Sequence, residues 1–266
     1  MSAMELEQAM EKEPGNPDLN ARLAGEFLKR RNYTRSRELA LKATQLQPHH
    51  PHGSYVLARL ALLSGDAARA CELLEPALNR DRPDPRVLEL LADLRTRTKD
   101  YVTASMLYAL GQRRFPSDSR WVSGAARVAV LSNNKTALRE SLEQLSRLEA
   151  DDLMPRKKLA SMAAEEQDWE RAARFAWMSL HIDALDTDSH AILAEALAAR
   201  NRWQECVEEY RTLQELRPAD ESIPLKLARA QKSSGDRDGA IRTVSAILEK
   251  KPQNMEARQL LDELKR

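Results

Sequence analysis

A chain of 266 residues is long enough for two globular domains or one elongated repeat array. Charged residues make up 31% of it against 5% aromatic, with only eight glycines, which favours helices and leaves little for hairpins and sheets. The net charge of +1 argues against nucleic acid as a bulk ligand, and the absence of any run of eighteen apolar residues argues against a membrane span.

In chain order, residues 1–16 read as the second helix of a partial repeat, with Leu6, Ala9 and Met10 on one stripe and Pro14 closing it. Stepping by 34 from Pro14 reaches Pro48, Arg82 (Pro83 follows), Pro116, Ala150, Ala184, Pro218 and Pro252. That interval divides 17–254 into seven repeats: 17–50, 51–84, 85–118, 119–152, 153–186, 187–220 and 221–254. The sixth, Thr187 to Asp220, states the pattern most fully. Leu193, Ala194 and Leu197 share one face of a first helix, and Cys206, Tyr210, Leu213 and Leu216 line a second after Trp203. The fourth is the weak member. Leu138 stands where the others carry Ala, Cys or Ser, so the helix pair is expected to spread unless Gly124 and Ala125 make room. Residues 255–266 read as a capping helix with Leu260, Leu261 and Leu264 on one face.

This pattern resembles the tetratricopeptide repeat, which sets a large apolar residue, Leu-Gly/Ala and an aromatic in the first helix. It then sets Ala, an aromatic, Ala and a closing Pro in the second. The resemblance implies an all-α, right-handed superhelical solenoid whose first helices line a concave groove for a peptide or extended segment. The run RRFPSDSRWVSGAARV (113–128) and the sixth repeat also resemble the repeat tails of large bacterial proteins with an upstream metallopeptidase domain. The lone second helix at the N-terminus fits a larger array or a docking edge able to self-associate. The acidic start MSAMELEQAMEKEPGN lacks the basic and apolar segments of a signal peptide, and a cytoplasmic location is expected.

No catalytic motif is legible: H-E-x-x-H, C-x-x-C, G-x-S-x-G and a phosphate loop are all missing, so no catalysis, cofactor or metal is expected. His49, His50 and His52 cluster in the first inter-repeat turn, where a polar surface turn is the simpler reading than a metal site. Cys71 and Cys206 read as small core residues too far apart to bridge. Trp169 and Trp203 follow intra-repeat turns and are expected in the core. Trp121 and Trp177 fall outside the pattern and are expected to be partly exposed.

By the family's geometry, groove-facing positions of repeats two to five carry Arg59, Arg86, Arg97, Arg120, Arg127, Lys157 and Lys158, against Glu89, Asp93 and Glu165, with His52 and Tyr55 at the rim. Seven cations against three carboxylates point to an acidic extended protein segment as the ligand. Arg59, Asp93 and Arg127 recur at one place in successive repeats, however, and pairing along the groove wall explains them equally well. The clamp that holds chaperone C-terminal carboxylates in this family is missing. Its positions fall on Ala21, Gly25, Val56, Arg86 and Leu90 in one frame, and on Tyr55, Arg59, Leu90, Arg120 and Gly124 in the next. The expected function is therefore a non-catalytic protein-interaction scaffold. The alternatives are an accessory domain of a larger enzyme, such as a metallopeptidase, or an RNA-binding helical repeat.

Overall fold

The computed structural model describes residues 3–266, and the first two residues of the partial repeat expected over 1–16 lie outside them. Sixteen α-helices and no strands are found among the described residues. α1 (Ala3–Lys12) stands alone. Then come seven pairs: α2 (Pro17–Lys29) with α3 (Tyr33–Leu46), α4 (Pro51–Leu63) with α5 (Ala67–Leu74), α6 (Pro85–Arg97) with α7 (Tyr101–Arg114), and α8 (Ser119–Leu131) with α9 (Lys135–Leu148). They continue as α10 (Met154–Glu165) with α11 (Trp169–Leu180), α12 (Thr187–Ala199) with α13 (Trp203–Leu216), and α14 (Ser222–Ser234) with α15 (Arg237–Lys250), before α16 (Met255–Lys265). The architecture is an all-α helical repeat solenoid.

Each pair turns in the same way. One residue in the left-handed region follows each first helix: Arg31, Gly65, Lys99, Asn133, Gln167, Asn201 and Gly235, always 34 residues apart. The next residue sends its backbone N–H back five positions, as from Asp66 to the Ala61 carbonyl at 2.9 Å and from Asp236 to Gln231 at 2.9 Å. That residue also caps the second helix where it is Asn or Asp. Asp100 accepts from the Thr103 N–H and Asp168 from the Arg171 N–H. Arg202 occupies the same place in the sixth pair and supplies no side-chain cap. Closing prolines stand two residues past the ends of α1, α3, α7, α13 and α15.

The helices of a pair cross on two small positions. The first helix brings Ala24, Ala58, Ala92, Ala126, Ala160, Ala194 or Ala228, and the second brings Ser36, Ala70, Ala104, Leu138, Ala172, Cys206 or Ala240. The backbones come close enough for the Ser36 hydroxyl to donate to the Ala24 carbonyl at 2.8 Å. All of these residues are fully buried except in the fourth pair, where Leu138 is half-buried and Ala126 is 9% exposed. Gly124 makes its room for a different group, because a Cβ on it would overlap the Tyr108 ring from α7.

Contacts divide the chain into two compact units, Met1–Ser141 and Leu142–Arg266. In the first, Leu6, Leu23, Leu39, Val56 and Leu60 join α1 to α4 in one cluster. A second cluster from α4 to α8 is built on Leu74, Leu88, Leu91, Tyr108 and Trp121. Trp121 is wholly buried, contrary to the expected partial exposure. Phe115 stacks on its indole with centroids 5.5 Å apart, and Gly111 leaves the ring its place. The α4–α5 pair departs from the 34-residue pattern, since α5 has only eight residues where α7 has fourteen. Pro76 has no N–H for the next helical bond and ends α5 early; Ala77 and Leu78 instead fold onto the α4–α8 cluster.

In the second unit, Val244, Leu260 and Leu264 carry a cluster through α14–α16. Arg156 is buried because its guanidinium donates to the Asp152 carbonyl at 2.8 Å and the Ser146 carbonyl at 2.6 Å. Cys206 is buried and its thiol is pushed up to about 11 by burial, whereas Cys71 is half-buried. Trp169 and Trp203 are half-buried instead of sealed in the core; Trp177 is 57% exposed, as expected, with its ring edge-on to His181.

Candidate functional site: a basic cleft on the first helices

In the first unit the first helices α2, α4, α6 and α8 lie beside one another in order. Seven of the nine nominated site residues are on them: Tyr55 and Arg59 on α4, Arg86, Asp93 and Arg97 on α6, and Arg120 and Arg127 on α8. Lys157 and Lys158 are on α10, in the second unit.

Most of these cations already have carboxylates. Arg127 is ion-paired with Asp93 and donates at 2.7 Å to the Tyr108 hydroxyl, which in turn donates to Asp93 at 2.6 Å. Burial, reinforced by the Asp93 carboxylate, pushes the Tyr108 phenol up to about 12, so the hydroxyl stays a donor. Arg120 is held by Asp118 at 2.6 Å and Glu89 at 3.0 Å. Lys157 reaches Asp186 at 2.6 Å and Asp188 at 3.2 Å, and its ammonium pKa is raised chiefly by the Asp186 hydrogen bond. Arg97 and Lys158 are exposed and form no ion pair among the described residues.

Tyr55, Arg59 and Arg86 do converge. They line a cleft of about 760 Å³ with Arg22, Gly25, Glu26, Lys29 and His52, over an apolar base that includes Leu6 and Val56. The guanidinium carbons of Arg59 and Arg86 each lie 5.9 Å from the Tyr55 ring centroid, and Arg59 donates to the Tyr55 hydroxyl at 3.0 Å. Arg86 is anchored by Asp84 at 2.7 Å and donates to His52 Nδ1 at 2.9 Å. Burial, then the Arg86 charge, lowers the His52 imidazole to about 4, so a neutral ring faces the cleft. Lys29 is paired with Glu26 at 2.7 Å. Arg22 and Arg59 are both exposed and have no carboxylate within 4 Å among the described residues.

The histidine turn is more structured than a polar surface loop. His50 is buried and caps α4, with its Nδ1 accepting from the Gly53 N–H at 3.2 Å and its Nε2 facing Asp18 at 3.1 Å. His52 faces the cleft, where Gly25 leaves space for its ring. Sequence reasoning missed Arg22 because it lies in the first repeat, ahead of the repeats whose charges were compared.

The tetratricopeptide repeat family model matches residues 27–94, which span α2 to α6. This is the tetratricopeptide-repeat fold. The C-terminal part of a TPR repeat-containing protein from Cytophaga hutchinsonii is 15% identical with a TM-score of 0.55, over 91% of this chain and 99% of that one. A chain in the structure of Naa15/Naa10 bound to HypK-THB is 18% identical with a TM-score of 0.56, over 97% of this chain and 41% of that one. YrrB, described as a TPR protein with an unusual peptide-binding site, is 15% identical with a TM-score of 0.50, over 66% of this chain and 91% of that one. The comparison with curated proteins yields no match. Among the described residues, no helix is long and apolar enough to cross a membrane.

Proposed function

We propose that this protein is a non-catalytic scaffold that holds an extended acidic protein segment against its first helices, anchored in the cleft formed by Arg22, Tyr55 and Arg59. The observation that carries this reading is the charge state of the cleft. Its acidic lining residue, Glu26, is paired with Lys29, whereas Arg22 and Arg59 have no carboxylate of their own. A carboxylate entering the cleft would gain forked donors without first breaking an ion pair. Arg120 and Arg127 would have to give up Glu89, Asp118 or Asp93 to do the same. They are the wall of the groove, and Arg86 fixes Tyr55 and His52 in place. YrrB offers a precedent for peptide binding on a related fold.

The test is fluorescence anisotropy with a labelled Glu/Asp-rich peptide, titrated against the whole chain at low and high salt. Binding should weaken with salt, since exposed pairs are screened over about 8–10 Å at physiological ionic strength. Arg59→Glu should weaken it by about tenfold or more, while Arg127→Ala, with helix content checked by circular dichroism, should change it by less than about threefold. Equal losses in the two variants, or a single-stranded RNA competing at equal concentration, would overturn the reading.

A further inference from the structure

We propose a second docking surface on the outward side of α7, and assign to it an acidic amphipathic helix of a partner protein. The surface arises from the early end of α5. Its eight residues against the fourteen of α7 leave it about 9 Å shorter at 1.5 Å per residue. The chain that should have continued α5 joins the α4–α8 core cluster instead, burying Ala77 there. A cleft of about 920 Å³ opens between residues 80–81 and α7.

Its floor is Leu107 and Leu110, and Met106 stands beside them at 60% exposure. Val102, Met106 and Arg113 continue that exposed ridge along α7 at helical spacing. A ridge of this kind is complementary to the groove on another helix, which is why the occupant is helical and not extended. Charge gives its sign. Arg80 and Arg113 have no carboxylate within 4 Å among the described residues, and Arg114 has only the highly exposed Asp81 at 3.7 Å. An incoming helix with an apolar stripe and flanking carboxylates would cover the methionine and leucines and neutralise the arginines. This surface shares no lining residue with the first-helix cleft, so the two can be tested apart.

The probe is a pair of synthetic helical peptides with identical leucine spacing, one with glutamate and one with lysine at every polar position. Binding to the whole chain is read by anisotropy and located by amide hydrogen exchange. In a chain whose first-helix cleft is disabled by Arg59→Glu, the glutamate peptide should still bind, slow exchange over residues 102–114, and lose about tenfold in affinity when Met106→Glu or Arg113→Glu is added. Both substituted side chains are exposed, so the folded chain should survive them. Equal binding of the lysine peptide, binding that Met106→Glu does not weaken, or no binding of either peptide would overturn the proposal. So would self-association of the chain that Met106→Glu abolishes, which would place a second copy on the surface.

Discussion

Gly111 of α7 lies directly against the indole of Trp121 in α8, and a Cβ on that glycine would overlap the ring. The glycine sits inside a helix, where alanine is ordinarily better by about 1 kcal/mol. Overpacking a buried ring costs about 1–3 kcal/mol, and the second effect should win. Gly111→Ala is therefore expected to lower the urea midpoint. Trp121→Leu in the same chain should recover part of the loss, because it removes the group that the methyl strikes. A Gly111→Ala protein at least as stable as the parent would show that the contact is looser than it looks.

The left-handed turns offer an opposite substitution. Five of the seven residues that hold this conformation after a first helix carry side chains, among them Lys99 and Gln167. A left-handed L-residue costs roughly 1–2 kcal/mol, and the extra unfolded-state freedom of glycine takes back about 0.4–1 kcal/mol. Lys99→Gly and Gln167→Gly should each raise stability by several tenths to about 1 kcal/mol. Gly65→Ala should do the reverse. Thermal melts of the three single variants decide the matter by their signs alone.

Arg202 can be read in the same way. It is the residue that follows the left-handed Asn201, a place where Asp66, Asp100, Asp168 and Asp236 each cap a second helix. Arg202→Asp should add about 1 kcal/mol through a new cap to α13, less what is lost with the exposed Arg202–Glu205 ion pair. Amide exchange in the first turn of α13 should slow. Unchanged exchange there would mean that the backbone does not present its N–H groups to the new carboxylate.

His52 ties stability to pH. Its imidazole is lowered from 6.5 to about 4 in the folded chain, so the unfolded chain takes up the proton first. The contribution is complete above pH 6.5 and is lost as pH falls towards 4, because there the unfolded state binds more protons than the folded one. Allowing for a half-exposed ring, the loss is about 1–2 kcal/mol. His52→Gln should flatten this part of the stability profile relative to the parent. Parallel profiles for the two proteins between pH 6.5 and 4 would remove His52 as the cause.

The all-α repeat character is legible in the sequence because its determinants are local: closing prolines, small residues at helix crossings and apolar stripes of period 3.6. Trp121 was misjudged because its burial depends on Gly111, ten residues away in chain and on another helix. The early end of α5 is visible in principle at Pro76, but a 34-residue template searches for the proline after the helix and overlooks one within it. The candidate site was legible as a set of residue types and not as a state of charge. Arg59 and Arg127 occupy the same place in their repeats. What separates them is that Asp93 and Tyr108 engage Arg127 while only Tyr55 engages Arg59.

That alternation bears on how the chain avoids assembling incorrectly. First helices with similar apolar stripes could stack on the wrong neighbour, or on a neighbouring molecule, without losing much buried surface. Charge tells them apart. With α6 between α4 and α8, Asp93 meets Arg127; were α6 skipped, Arg127 would approach Arg59 at the corresponding place. Exposed ion pairs add little to the stability of the correct order, but like charges penalise the incorrect one. The arginine–aspartate alternation along α4, α6 and α8 thus favours the observed order over one that would set Arg127 against Arg59.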